Sequence, residues 1–225
     1  QVPLPGDTTI DGDVTVADVD AFDVDGAVTL SGGMRTLTID DPDNPFVIDG
    51  IVSGDGADDD DGIIKQGPGK LTLNNANTFA GGVTIDAGAV GLGSDTALGT
   101  GPLTLNSGAT IEATQADRDV ANPLTINDSF TVGDGSGSDT LTFSGPATVT
   151  GDASVTIANV DGTTFAGALG LGANAFTVQA DNPVDITGDI TGDNTLAKTG
   201  ADTLTLAGDN AGFTGNLDID NGQVD

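Results

Sequence analysis

Apolar residues in this chain recur at every second position, but only in very short runs. Between Lys65 and Gly101 three of them stand out: Leu71-Thr-Leu73, Val83-Thr-Ile85 and Val90-Gly-Leu92, each bounded by Gly, Asn or Asp. Side chains two apart in a strand face the same way, so each run predicts a short strand with one narrow apolar face. The runs are too short and too close for an ordinary sandwich, where a strand and its turn take roughly 8–12 residues. They predict a solenoid, in which each strand stacks on its counterpart in the next coil. The same alternation predicts strands at 13–16, 21–24, 27–31, 36–39, 103–105, 110–113, 124–126, 130–132, 140–143, 147–149, 154–157, 176–178 and 184–186. Residues 115–120 lack it and read as a loop or one helical turn. The low-complexity stretch 133–139 reads as a turn, and it lacks the Gly-Lys-Ser/Thr ending of a phosphate-binding loop.

Self-comparison adds a longer period. Lys65-Gln-Gly-Pro-Gly-Lys-Leu-Thr-Leu73 matches Lys198-Thr-Gly-Ala-Asp-Thr-Leu-Thr-Leu206, and Phe79 to Val90 matches Phe213 to Val224. Ile48 to Gly56 likewise matches Ile186 to Asn194. The repeat copies span about 46–112 and 184–225, with a weaker copy at about 138–167, inside one solenoid covering 1–225. Ile48 and Ile186 are 138 positions apart, whereas Lys65 and Lys198 are 133 apart. The first copy therefore carries five extra residues, assigned to Ala57-Asp-Asp-Asp-Asp61. Insertions in a solenoid become loops on one face, so this acidic stretch predicts a loop.

The pattern Lys-x-Gly-x-Gly-x-Leu-Thr-Leu, then Asn-Thr-Phe-x-Gly-Gly-x-Thr-Ile, then Gly-x-Val-x-Leu-Gly resembles the autotransporter-associated β-strand repeat. Lys65, Gly67, Gly69, Leu71, Leu73, Asn77, Phe79, Gly81, Gly82, Ile85 and Gly88 carry the resemblance in the first copy. Lys198, Gly200, Leu204, Leu206, Asn210, Phe213, Gly215, Ile219 and Gly222 carry it in the second. The resemblance implies an all-β chain folded as a single-stranded, right-handed parallel β-helix, a β-solenoid with short strands and Gly/Asp-rich turns. It also implies secretion and a bacterial cell-surface setting. Phe213 comes one place later than Phe79 predicts, which places the difference in a turn. With strands ~4.8 Å apart and coils of ~20 residues, about eleven rungs and a rod of roughly 50 Å are expected. The Phe residues are expected to fill the column at its corners.

Composition narrows the chemistry. The 225 residues hold 35 acids against five bases, a net charge of −30, and Glu112 is the only Glu. Asp accepts turn conformations and bonds to nearby backbone, so its abundance suits turns of a Gly-rich β protein. The alternative is cation binding or a saline medium that screens the self-repulsion. The calcium candidates are Asp58, Asp59, Asp60 and Asp61, whose other reading is a solvated charge run; no cofactor is required. The series Asp18, Asp20, Asp23, Asp25 does not fit an EF-hand loop. Such an acidic surface repels nucleic acid and anionic lipid. No apolar run approaches the ~18 residues that cross a bilayer, so no membrane insertion is expected of this segment.

With no Cys, His or Tyr, the usual nucleophile–base pairs are missing. Lys65 and Lys198 read as repeat positions, and abundant Asp makes chance carboxylate pairs common. The expectation is a non-catalytic extracellular structural protein. The alternatives are an adhesin recognising a glycan or host partner laterally and, further off, a polysaccharide-degrading β-helix enzyme. The sequence ends in mid-motif, with Asp218, Ile219, Asp220 and Val224 as a candidate assembly edge. An unpaired strand edge templates another chain. The expected partners are copies of the chain stacked end to end into a fibre, or further repeats of the same polypeptide.

Overall fold

The computed structural model describes residues 2–17, 22–57, 60–136 and 138–225. Among the described residues nearly every regular element is a strand of two to six residues, and the strands pair in parallel. Chain contacts divide the molecule into two compact units, Gln1–Leu103 and Thr104–Asp225. Each is a β-solenoid.

In the first unit one sheet stacks Val2–Leu4, Phe22–Val24, Phe46–Ile48, Lys70–Leu73 and Gly88–Leu92. A second stacks Thr8–Ile10, Val28–Leu30 and Val52–Gly54, and a third Val14–Val16, Met34–Ile39, Gly62–Gln66 and Gly82–Ile85. As far as Gly62–Gln66 the chain visits the three in turn, so each circuit is one coil. Strand partners lie 19 to 28 residues apart along the chain. Parallel stacking in register puts like positions above one another: Phe46, Leu71 and Val90 form one inward row, and Ile48, Leu73 and Leu92 the next. All six are buried. Period-two alternation thus becomes a column of apolar side chains with a polar exterior.

The second unit repeats the scheme. One sheet holds Ala109–Ala113, Phe130–Val132, Ala153–Ile157, Phe176–Gln179, Leu196–Thr199 and Leu217–Ile219. Another holds Arg118–Val120, Leu141–Phe143, Thr163–Phe165, Val184–Ile186, Thr203–Leu206 and Gln223–Val224. Leu124–Ile126, Ala147–Val149, Leu169–Gly170 and Ile190–Thr191 belong to the third.

Three expectations are corrected. Residues 115–120 are neither all loop nor helical: Gln115 turns the chain with φ 71° and a strand follows at Arg118–Val120. Most Phe residues sit in strands and not at corners. Phe143 and Phe165 stack in adjacent coils with ring centroids 5.1 Å apart, and Phe22 and Phe46 are 5.4 Å apart. Strands at Val2–Leu4, Thr8–Ile10 and Thr163–Phe165 are additions to the sequence reading. Ala21, which opens the predicted 21–24 strand, lies outside the described residues, as do Asp18 and Asp20.

Asp is concentrated where strands end, and much of it is bonded. Carboxylates of Asp7, Asp13, Asp117, Asp152 and Asp189 accept the backbone N–H of Ala27, Thr36, Thr140, Ala175 and Asp209, each in the following coil, at 2.7–3.1 Å. At a corner the strand ladder has run out, and a side-chain oxygen supplies the acceptor that the ladder no longer provides. The Thr140 N–H, helped by Arg118, holds the Asp117 carboxyl below the usual range.

Candidate functional site: repeat clamps, acidic corner and terminal strand

Lys65 lies at an inward position of Gly62–Gln66, stacked between Leu37 and Ile85. It is 0% exposed. Its aliphatic stem packs in the apolar column and its ammonium emerges at the corner. There Nζ donates to the carbonyls of Gln66 and Gly67 at 2.8 Å and of Ala87 at 3.1 Å. An ammonium has three N–H donors, so this head is fully satisfied. Two acceptors belong to its own turn and the third to the next coil. Lys198, also 0% exposed, makes the same arrangement with Thr199, Gly200 and Asn221 at 2.7, 2.8 and 3.1 Å.

Burial pushes the Lys65 ammonium down to about 8, with the Asp40 charge opposing. Burial lowers Lys198 too, against Asp181 and Asp202. The clamp also dictates a glycine. Gly88 has φ 71° and a Cβ there would lie 2.9 Å from Lys65 Nζ; Gly222 has φ 79° and its Cβ would lie 2.7 Å from Lys198 Nζ. Backbone carbonyls stand nearer still, those of Gly67 and Gly69 at 2.4 and 2.5 Å from the first Cβ and those of Asp202 and Gly200 at 2.6 Å from the second, so this left-handed turn takes glycine.

The Asn–Phe segment covers the next side of the coil. The buried Asn77 accepts the Val52 N–H at 2.7 Å through Oδ1 and donates through Nδ2 to the Ala97 carbonyl at 2.6 Å. It therefore joins the coil before it to the coil after it. Phe79 fills the column beside it. In the second copy Asn210 accepts the Ile190 N–H at 2.8 Å, and Asn210–Gly212 forms a single 3-10 turn before Phe213. The one-residue delay of Phe213 is thus absorbed in that turn.

The acidic insertion lies between Val52–Gly54 and Gly62–Gln66. Asp58 and Asp59 lie outside the described residues. Asp60 is exposed in a turn. Asp61 is not a solvated charge: it is 2% exposed and accepts the N–H of Gly33 at 2.8 Å and of Asp55 at 2.9 Å. Its carboxylate is occupied in closing the corner. Among the described residues no three His, Cys, Asp or Glu side chains gather as a metal site.

The terminal strand Leu217–Ile219 pairs with Leu196–Thr199 through Leu196↔Leu217 and Lys198↔Ile219. Leu217 is 43% and Ile219 48% exposed, whereas their counterparts Val83 and Ile85 in the first copy are buried. Asp218 and Asp220 are exposed, and Val224 is half-buried opposite Leu204.

Residues 63–92 and 196–224 match the passenger-associated-transport-repeat family. Each match encloses a clamp lysine, the Asn–Phe turn and the clamp glycine. Over 203 residues the chain is 27% identical to the Adhesin BmaC autotransporter of Brucella suis biovar 1 (strain 1330). The alignment covers 89% of this chain and 5% of that protein's length. No solved structure matches the chain. What the repeat pattern did not disclose was the inward lysine. A Lys found at the same place in both copies, with a Gly two positions on, was the available signal.

Proposed function

We propose that this chain is a non-catalytic structural segment of an extracellular or cell-surface bacterial protein, built to stack coil on coil. The observation that carries the reading is where the repeat's distinctive side chains go. Lys65, Lys198 and Asn77 are buried and bonded to the chain's own backbone, and Phe79 fills the column. Arg35 donates to the Ser31 carbonyl and Arg118 to those of Thr114 and Asp117. Four of the five basic side chains thus hold backbone corners, while glycan cleavage needs carboxylates set with a group to stabilise charge.

The repeat's name and the autotransporter relative support the surface location. Protease shaving of intact cells of the source bacterium tests it. Loss of the segment from intact cells is expected; protection until lysis would overturn it.

A second copy stacking end to end on Leu217–Ile219 extends this reading. Light scattering and electron microscopy of the chain test this part. Concentration-dependent end-to-end assembly is expected, and a monodisperse monomer at every concentration overturns it. A second reading, adhesion through the lateral face, is favoured by the relative's being an adhesin. A glycan array with host-cell binding tests it, and retention of ligand by the folded chain would establish a binding role.

A further inference from the structure

The alternating pattern fixes which side chains face inward, because a one-residue slip would turn every apolar side chain outward. It does not exclude a slip of two. In the Gly62–Gln66 and Gly82–Ile85 pair, such a slip would place Val83 where Ile85 stands, one aliphatic residue for another. Coil length does not fix the register either, since it varies along the chain. A directional contact is required, and the lysine clamp has that character. Its third bond spans 22 residues in the first copy and 23 in the second, yet the acceptors and distances are equivalent. The extra residue sits in the Asn210–Gly212 turn, upstream of the clamp's closing carbonyl.

We propose that Lys65 and Lys198 are register pins: each locks its own strand to the strand one coil later, so the intervening turn can gain or lose a residue without shifting the ladder. The clamp does this because three fixed carbonyls receive one ammonium, and no neighbouring register brings the next coil's carbonyl to the same point. The wall between two pinned strands is then free to vary in length. This inference is independent of where the protein resides or what it binds.

The chain has no Cys, so engineered disulfides report register directly. Ile64 and Thr84 face each other on paired strands, and parallel neighbours ~4.8 Å apart are within disulfide reach. The full chain with Ile64→Cys and Thr84→Cys is compared with the slipped pair Gln66→Cys and Thr84→Cys, because an added upstream residue moves Thr84 towards Gln66. Each pair is made with and without one Gly inserted between Thr78 and Phe79, in Lys65 and Lys65→Met backgrounds. With Lys65 present, the 64–84 cross-link is expected to survive the insertion. With Lys65→Met it should fall about fivefold or more, with the 66–84 product rising. Equal 64–84 yields in both backgrounds would overturn the pin. Should Lys65→Met disrupt the coil outright, the terminal strand decides: Ala197→Cys with Asp218→Cys, with Gly212 deleted, in Lys198 and Lys198→Met chains. Cross-linking that tolerates the deletion only when Lys198 is present supports the proposal. Cross-linking indifferent to Lys198 overturns it.

Discussion

The ammonium of Lys65 lies 3.1 Å from the carbonyl oxygen of Ala87, and the two belong to successive coils. Lys198 and Asn221 stand in the same relation at the same distance. A buried cation held by backbone dipoles has a titration signature. The folded-state value of Lys65, about 8, lies below the ordinary 10.5 because burial penalises the charge. Below pH 8 folded and unfolded chains both carry the proton, and this group adds no pH dependence. From about 8 to 10.5 the unfolded chain binds more protons, so the group's contribution to stability rises with pH. NMR titration of the Lys65 side chain should give a midpoint near 8. Denaturant melts should show the native chain gaining on Lys65→Met across that window.

Asp23 shows the opposite sign. Burial, with the charges of Asp49 and Asp25, raises its carboxyl above the ordinary 3.8. The folded chain therefore holds the proton longer. The contribution is favourable below about 3.8 and is lost as pH rises through the folded value. Asp23→Asn is expected to raise the melting temperature at pH 7 and to have a smaller effect at pH 3. Calorimetry at the two pH values checks this.

Asn77 satisfies one backbone group in the coil before it and one in the coil after it. Asn77→Leu removes both bonds in a buried setting. At about 1–3 kcal/mol for each orphaned group, a loss of roughly 3 kcal/mol is expected. Hydrogen exchange should show the Val52 amide losing protection first.

The two repeat phenylalanines should differ in cost. Phe79 is fully buried, and Phe79→Ala should destabilise by about 3–5 kcal/mol. Phe213 is half-buried, so Phe213→Ala should cost roughly half as much or less. Urea melts of the two variants give the comparison.

Several strands with two apolar inward residues were legible. Leu103–Leu105, Leu124–Ile126, Ala147–Val149 and Val184–Ile186 begin and end where the alternation does. Arg118–Val120 was not, because Val120 is its one apolar residue and a single residue has no period. Thr163–Phe165 was missed for a related reason: Thr163 occupies an inward position while reading as polar. The repeat marked Lys65, Asn77 and Gly88 as belonging together. It could not show that Lys65 and Gly88 meet, because the Lys65 clamp closes on a carbonyl 22 residues away. Within the acidic insertion, Asp61 was indistinguishable in sequence from its neighbours. Its burial depends on the N–H of Gly33, 28 residues earlier.

The repeat's lysines hold coil to coil. Equilibrium urea unfolding of Lys65→Met at pH 7 tests it most directly. Methionine keeps much of the aliphatic stem and deprives three carbonyls of their donor. At about 1 kcal/mol for each of them, a loss of roughly 3 kcal/mol is expected. An unfolding curve superimposable on that of the native chain would contradict the account.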